Sequence, residues 1–215
     1  NMYGICVGVT WKPIRIFLMC IFNTKLKAFG YILSLFVAHQ RRIAKEFCAM
    51  ELYDDKLCKT FSNKRIMKLL YLLCLESVSV KDRDCGLFNI FNKMIAYPYG
   101  PVEQDLYDSL NFIPLTTYKD GQFTKLPDLD EYLHEVALTV EVKNSIDTAF
   151  EKLAKSLTKD DFLNRDELIK KIHNLCLWSR IYMFKSYDNR LMPVSDYEAI
   201  EEEIRCYRQN FNSRN

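Results

Sequence analysis

Apolar residues recur at helical spacing along most of this chain, and this periodicity restricts its fold more than any other feature. The clearest case follows Ser62, a residue type that favours the N-cap of a helix. One helix face is formed by Ile66, Leu69, Leu70 and Leu73, and the other side by Leu72, Cys74 and Leu75. A helix that is apolar on nearly all sides is buried, so we expect it to lie at the centre of the domain and to end by Lys81.

The C-terminal half of the chain predicts further helices from the same kind of evidence. A regularly spaced apolar face is formed by Val142, Ile146, Ala149, Phe150, Leu153 and Leu157. Asn164 and Glu167 have the spacing of a capping box and predict a second helix that continues to Tyr182. Ser195 and Glu198 form another such box, which opens a last helix.

One segment in the middle of the chain departs from the helical pattern. Residues 115–118 and 122–126 flank an Asp-Gly pair, which is typical of a tight β-turn, and they predict a small hairpin. Apolar and polar residues do not alternate strictly over residues 87–97, which favours a helix there and leaves a strand as the alternative. Pro101 suits the first position of the next helix. Glycine and proline are too few for a turn-rich all-β protein. We therefore predict a mainly α fold, a compact helical domain with one small β-hairpin.

Charge divides the chain into two parts near Met50. Residues 1–49 contain seven basic residues and one acidic residue, whereas residues 50–215 are net acidic. We therefore predict an N-terminal extension over 1–49 and a helical domain over 50–215. Lys25 and Lys27 separate the two apolar runs of the extension, so neither run is long enough to cross a membrane. Two interpretations of the extension are open: a start codon assigned upstream of the biological start at Met50, or a helix that lies on a membrane surface. If the extension folds, its apolar runs must pack on the domain or on another copy.

The candidate chemical groups do not form a recognisable catalytic or metal site. His173 and Cys176 are three residues apart on the predicted helix and could act as ligands, but no further ligand completes a zinc site. No nucleotide-binding or hydrolase motif is present, so we expect no cofactor and no enzymatic activity. The eight cysteines include no C-x-x-C pair, which favours reduced, buried thiols. A small hydrolase with a site around His173 and Cys176 is a minor alternative.

Nucleic acid is a weak candidate for a partner. The net charge is only +2, and acids elsewhere offset the best basic cluster, which is formed by Lys64, Arg65 and Lys68. No predicted helix has the basic, polar face that reads a DNA groove. A DNA-binding regulator is therefore a less favoured function.

The densest local signal is the segment Tyr97-Pro98-Tyr99-Gly100-Pro101-Val102. Its two prolines and its glycine require a turn, and tyrosines bracket that turn. Tyrosine favours protein interfaces because it combines an apolar ring with a polar hydroxyl. The residues that we predict to bind a partner are Tyr97, Tyr99, Gly100, Pro101, Val102 and Tyr107.

The order of these motifs resembles the Panacea domain, also described as SocA-like. The resemblance covers residues 56–206. It lies in Lys68-Leu69-Leu70-Tyr71, in Tyr99-Gly100-Pro101-Val102 followed by Leu106-Tyr107, in Leu168, His173 and Trp178, and in the closing stretch 192–203. The residues that this resemblance identifies as structural members of the family motif are Leu69, Tyr71, His173 and Trp178.

The resemblance implies an antitoxin. Panacea domains occur beside unrelated toxins and neutralise them, and SocA-like members deliver a toxin to a protease. We therefore expect a cytoplasmic protein-binding domain that neutralises a genetically linked toxin by direct contact, with a proteolytic adaptor as the alternative. The expected partners are the cognate toxin and, for an adaptor, a cytoplasmic protease; homo-oligomerisation is left open.

Overall fold

The computed structural model of this 215-residue chain describes residues 12–48, 58–157, 165–186 and 190–211. Met50 and Asn164, the predicted domain boundary and helix cap, lie outside these ranges. In chain order the helices are α1 (Lys12–Cys48), α2 (Asn63–Ser77), α3 (Gln104–Tyr107), α4 (Leu129–Glu135), α5 (Val140–Ser156), α6 (Arg165–His173), α7 (Cys176–Phe184) and α8 (Tyr197–Phe211). The strands are β1 (Met94–Tyr97), β2 (Gly100–Glu103), β3 (Thr117–Lys119) and β4 (Gln122–Lys125), and short 3-10 helices cover Gly86–Asn89 and Leu110–Phe112. The prediction of a mainly α fold is confirmed.

Helix α2 lies at the centre of the core, as predicted. Its N-cap is Ser62, whose hydroxyl oxygen accepts a hydrogen bond from the Arg65 N–H. Every residue from 65 to 75 is buried, because α2 packs against α5, α6, α8 and β2. The helix ends at Ser77, before Lys81 as predicted, because Val78 adopts an extended conformation.

Helix α1 belongs to the same hydrophobic core as α2. Apolar side chains of α1 join the core cluster over residues 26–43, and they pack against α4 and α5. The change of composition near Met50 is therefore not a break in the packing, because α1 and α2 share one core. Within the described ranges, no helix combines the length and the apolar character that a membrane span requires. The α1 side chains with no exposed surface include Phe29, Ile32, Leu33, Phe36 and Val37.

Strands β1 and β2 form a hairpin in a region where we predicted helices. They pair antiparallel, with Ala96 opposite Pro101 and Tyr97 opposite Gly100. The helix favoured over 87–97 is therefore wrong for Met94–Tyr97, where the strand left open is present, and the prediction of a helix start at Pro101 is wrong. In a short buried segment, apolar spacing does not distinguish a strand from a helix. Pro101 is tolerated because β2 pairs with β1 alone among the described strands, so no second ladder needs its missing N–H.

The hairpin predicted from the Asp-Gly pair is present as β3 and β4. Asp120 and Gly121 both have positive φ, 51° and 83°, as a two-residue type I′ turn requires. Phe123 points inward and is buried. The described part of the chain thus contains two small antiparallel sheets, one more than predicted.

The helix predicted to continue from Asn164 to Tyr182 is two helices, α6 and α7. Leu175 adopts an extended conformation between them. Cys176, at the start of α7, forms a disulfide bond with Cys206 of α8. The expectation of reduced thiols is therefore wrong for this pair. Cys58, Cys74 and Cys85 are buried, and Cys74 and Cys85 are free thiols.

The last helix begins slightly later than predicted. The Asp196 carboxylate accepts a hydrogen bond from the Glu198 N–H at 3.1 Å. Asp196, rather than Ser195, therefore holds the cap position of α8.

Candidate partner-binding site

The tip of the β1–β2 hairpin is the predicted turn, and it lies at the protein surface. Tyr97 and Gly100 form the last cross-strand pair, so Pro98 and Tyr99 make the two-residue turn. Tyr99 is 52% exposed. Gly100 has a φ of 106°, and a Cβ atom there would lie 2.9 Å from Lys68 Cε. The turn is thus pressed against α2, and glycine fits where other residues would be strained.

A column of aromatic rings supports the turn from within the protein. The His173 and Trp178 rings stack nearly parallel with centroids 4.5 Å apart, and Trp178 stacks on Tyr182 at 5.2 Å. Trp178 Nε1 donates a hydrogen bond to the Tyr97 carbonyl at 3.0 Å. The His173 ring also hydrogen-bonds to the Pro98 carbonyl. Side chains of α6 and α7 therefore hold the backbone on the approach to the tip.

A buried ion pair holds the end of strand β2. The Lys25 ammonium of α1 donates hydrogen bonds to the carboxylates of Glu103 at 2.7 Å and Asp105 at 2.9 Å. Glu103 also accepts from the Leu106 N–H at 2.8 Å, so it caps α3. Burial raises the pKa of Glu103, although the hydrogen bond from Lys25 works in the opposite direction. This ion pair connects α1 to the hairpin.

A pocket of about 310 Å³ lies between the hairpin tip and the first turns of α2. Four of the predicted partner-binding residues line it, namely Tyr97, Tyr99, Val102 and Tyr107, and α2 contributes Asn63, Lys64 and Lys68. Gly100 and Pro101 are buried, and both lie against Lys68. The structure thus brings the predicted residues together around one cavity.

Lys68 is the cation at the inner end of this pocket. Its side chain is 1% exposed, and Nζ donates a hydrogen bond to the Pro101 carbonyl at 3.0 Å. The pocket lining contains no carboxylate within the described part of the chain. Burial lowers the pKa of Lys68 to about 7, and the charge of Lys64 adds to this effect. Burial and the charge of Lys68 also lower the pKa of His173.

The other residues of the predicted family motif lie in the core. Leu69 is fully buried, and the Tyr71 hydroxyl donates a hydrogen bond to the buried Glu203 carboxylate at 2.7 Å. Glu203 also accepts from the Leu177 N–H at 2.6 Å, at the start of α7. A carboxylate at a helix N-terminus is stabilised by the free backbone N–H groups there. Glu203 thus fixes the start of α7, the helix that carries Trp178. Because Tyr71 holds Glu203, it supports Trp178 indirectly.

The predicted basic cluster is not a basic surface. Arg65 and Lys68 are each 1% exposed, and of the three cations only Lys64 is exposed. The pocket residues that the predicted set left out are Pro98 in the turn and Asn63, Lys64 and Lys68 on α2. A lysine inside an otherwise apolar helix is the signal that identifies Lys68, since such a position is normally filled by an apolar residue.

The pair of residues considered as metal ligands does not form a site. Cys176 is bonded to Cys206, so its thiol is not free. His173 stacks on Trp178 and bonds to a backbone carbonyl, and its Nε2 atom is buried with no hydrogen-bond partner in the described part of the chain. Across the described ranges, no group of three or more His, Cys, Asp or Glu side chains is arranged to hold a metal ion.

Comparison with known proteins identifies the family to which this protein belongs. No curated protein and no solved structure matches it. The model of the family described as antitoxin SocA-like, Panacea domain, matches residues 66–179, which is more than half of the 215 residues. The matched span contains both hairpins, most of α2 and the stacked rings of His173 and Trp178. The predicted resemblance is therefore confirmed, and the family implies a toxin partner in general terms. This chain belongs to the antitoxin SocA-like, Panacea domain family.

Proposed function

We propose that this protein is an antitoxin that neutralises a protein toxin by direct contact, through the surface around the β1–β2 turn. Membership of an antitoxin family supports the class of function. The observation that carries the choice of surface is the exposure of Tyr99 and Tyr107, 52% and 46%, beside a pocket on a supported turn. Exposed aromatic side chains on a rigid support are favoured interface anchors, because little conformational entropy is lost when they bind.

The other residues of the predicted site lie behind the exposed surface and hold it in place. Tyr97 is half-buried, and its hydroxyl hydrogen-bonds to Gln104 Oε1 at 3.0 Å. Gly100 and Pro101 are buried where the hairpin meets α2, and Val102 lines the pocket. These residues orient the two exposed tyrosines, which we assign to contact with the toxin.

A function by contact requires no catalytic group, and we propose that this protein is not an enzyme. The buried carboxylate near the hairpin has a structural partner, because Glu103 bonds to Lys25. The ring of His173 is stacked on Trp178. These contacts favour a binding surface over a reaction centre.

A growth-rescue experiment with the full-length protein tests the proposal. Cells that carry a genetically linked toxin gene under inducible control would express either the wild-type protein or the double variant Tyr99→Ala, Tyr107→Ala. We expect the wild-type protein to restore growth and the double variant to fail, with an unchanged thermal melting curve. Phe112→Ala is the matched control, because Phe112 is an aromatic residue that is 69% exposed and does not line the pocket.

Each result distinguishes between interpretations. Equal rescue by the double variant and the wild-type protein would show that the contact lies elsewhere. Absence of rescue by the wild-type protein would contradict direct neutralisation of that toxin. The half-life of the toxin in the same cells separates the two modes of action, since a proteolytic adaptor shortens it and neutralisation by contact does not.

A further inference from the structure

The pocket beside the turn contains a buried cation that has no counter-ion among the described residues of the lining. An ammonium group has three N–H donors, and the hydrogen bond that the structure shows for Lys68 Nζ goes to the Pro101 carbonyl at 3.0 Å. No carboxylate lines the pocket within the described residues. Burial of an unpaired charge is unfavourable. The pocket is therefore electrostatically incomplete in the free protein.

A second cation lies at the mouth of the same pocket. Lys64 is one helical turn before Lys68 on α2, and the two side chains share a face of the helix. The Lys64 Nζ atom lies 3.8 Å from the centroid of the Tyr99 ring, so a cation–π contact holds the ammonium group near the turn. Positive charge at both the inner end and the mouth makes the pocket complementary to an anion.

The rest of the lining favours an anion that has an apolar neighbour and a peptide group. Tyr97, Tyr99 and Val102 provide aromatic and apolar walls. Asn63 Oδ1 is buried without a hydrogen-bond partner among the described residues, and a peptide N–H could donate to it. A volume of about 310 Å³ is at the small end of the range for ligand pockets, which suits a single amino-acid residue.

We propose that this pocket binds a carboxylate of the partner toxin that lies next to an apolar or aromatic side chain, with Lys68 as the ion-pair partner and Lys64 at the mouth. The inference rests on the proposed function, because the toxin supplies the ligand. The carboxylate comes from an acidic side chain or from the C-terminus of the toxin, and both sources present the same chemistry.

Small probes test the pocket without the toxin. N-acetylphenylalanine carries a terminal carboxylate beside a phenyl ring. The peptide N-acetyl-phenylalanyl-glutamic acid α-amide carries its carboxylate on a side chain instead, and the corresponding glutamine peptide is neutral. Titration of the full-length protein would be followed by NMR chemical shifts. We expect saturable binding of at least one carboxylate probe, and about tenfold weaker binding of the glutamine peptide and of N-acetylphenylalaninamide.

Variants identify the group that binds. Lys68→Met should weaken carboxylate binding about tenfold, and Lys64→Met should weaken it about threefold, since a charge at the mouth is more screened by solvent. Lys119→Met is the matched control, because Lys119 is an exposed lysine on β3 outside the pocket, and it should bind as the wild-type protein does. Lys68→Arg keeps the positive charge and should retain more binding than Lys68→Met does.

Several results would overturn the proposal. They are no saturable binding of either carboxylate, equal binding of charged and neutral probes, unchanged binding by folded Lys68→Met, or a preference for inorganic phosphate over both carboxylates. The growth-rescue experiment keeps the two proposals apart. If Lys68→Met rescues growth as well as the wild-type protein does, neutralisation stands and the role of the pocket falls. Absence of rescue by the wild-type protein counts against the proposed function alone. The pocket is judged separately by the probe titration, which does not use the toxin.

Discussion

Two buried lysines contact the β1–β2 hairpin and its continuation, and they differ in the groups that their ammonium nitrogens contact. Lys25 lies 2.7 Å from a carboxylate oxygen of Glu103 and 2.9 Å from one of Asp105, so its charge is compensated. Lys68 bonds to the Pro101 carbonyl, and burial lowers its pKa to about 7. The two residues are almost equally inaccessible, at 3% and 1% exposed. The difference between them therefore lies in their partners rather than in their burial.

This comparison separates a structural charge from a candidate functional one. Lys25 ties α1 to the residues that follow β2, so it supports the native arrangement. Lys68 lies at a pocket next to the exposed tyrosines, where its unpaired charge lowers stability. Features that lower stability are concentrated at functional sites, because selection for binding can retain them there.

Deletion of residues 1–49 should have the largest effect, because it removes Lys25 together with its helix. Phe29, Ile32 and Phe36 of α1 are fully buried, and burial of each such side chain contributes about 1.5–3 kcal/mol. The summed loss approaches the whole stability of a typical domain, about 5–15 kcal/mol. We expect residues 50–215 alone to show no cooperative thermal transition by circular dichroism. A transition at the midpoint of the full-length protein would contradict the place of α1 in the core and favour a start at Met50.

The substitution Lys25→Met tests the compensated half of the comparison directly. It should lower the free energy of unfolding by about 3–5 kcal/mol, because Glu103 would remain buried without its counter-ion. Denaturant titration measures this change. Lys45→Met is the control, since Lys45 is exposed on the same helix, and it should change stability by less than about 0.5 kcal/mol. Equal, small effects of the two substitutions would remove the contrast between the lysines.

Lys68→Met should have an effect of the opposite sign. We expect it to raise the free energy of unfolding by about 2 kcal/mol near pH 6, because the variant no longer buries an unpaired charge. Folding lowers the pKa of Lys68 from 10.5 to about 7, so between these values the unfolded chain binds a proton that the folded chain has released. The stability of the wild-type protein therefore rises with pH over this interval, and the advantage of the variant shrinks.

Unfolding in urea near pH 6 and near pH 9 measures this difference. Lys119→Met, an exposed position on β3 outside the pocket, serves as the control. An advantage of Lys68→Met that is the same at both pH values would contradict a lowered pKa. Among the described residues, the other charged or titratable groups around Lys68 are Lys64 on α2, His173 on α6, and Tyr97, Tyr99 and Tyr107 around the hairpin.

Tyr71→Phe should have the smallest effect, and it adds a third buried charge to the comparison. Glu203 accepts hydrogen bonds from the Tyr71 hydroxyl and from backbone N–H groups at the start of α7. The variant loses one of these bonds and keeps the others, so we expect stability to fall by about 1.5 kcal/mol in denaturant titration. Tyr97→Phe is the control, because the Tyr97 hydroxyl bonds to the neutral Gln104 amide in a half-buried position. A loss as large as that of Lys25→Met would show that Tyr71 is the principal partner of Glu203.

The accuracy of sequence-based prediction varied with the range of the interactions involved. The cap at Ser62 and the hairpin around Asp120-Gly121 depend on neighbours in sequence, and both predictions are confirmed. The break at Leu175 was not predictable in the same way. It depends on α7 beginning where Glu203 of another helix accepts its backbone N–H groups.

The same distinction applies to the candidate site. The Tyr97–Val102 turn could be located from sequence because proline and glycine impose it locally. That Tyr107 joins Tyr99 at one pocket, and that Lys68 closes its inner end, depends on packing of the hairpin against α2. Residue spacing in the sequence holds no information about this packing.

The sequence by itself determined the helices α2, α5 and α8, where the turn around Pro98 lies, and which family the protein belongs to. These properties follow from residue spacing and backbone preferences over a few positions. Only the tertiary structure decided that Lys25 meets Glu103, 78 positions away, and that Lys68 meets no carboxylate among the described residues that line its pocket. The physical reason is that the free energy of a buried charge depends on the groups that the fold brings around it, and those groups come from distant parts of the sequence.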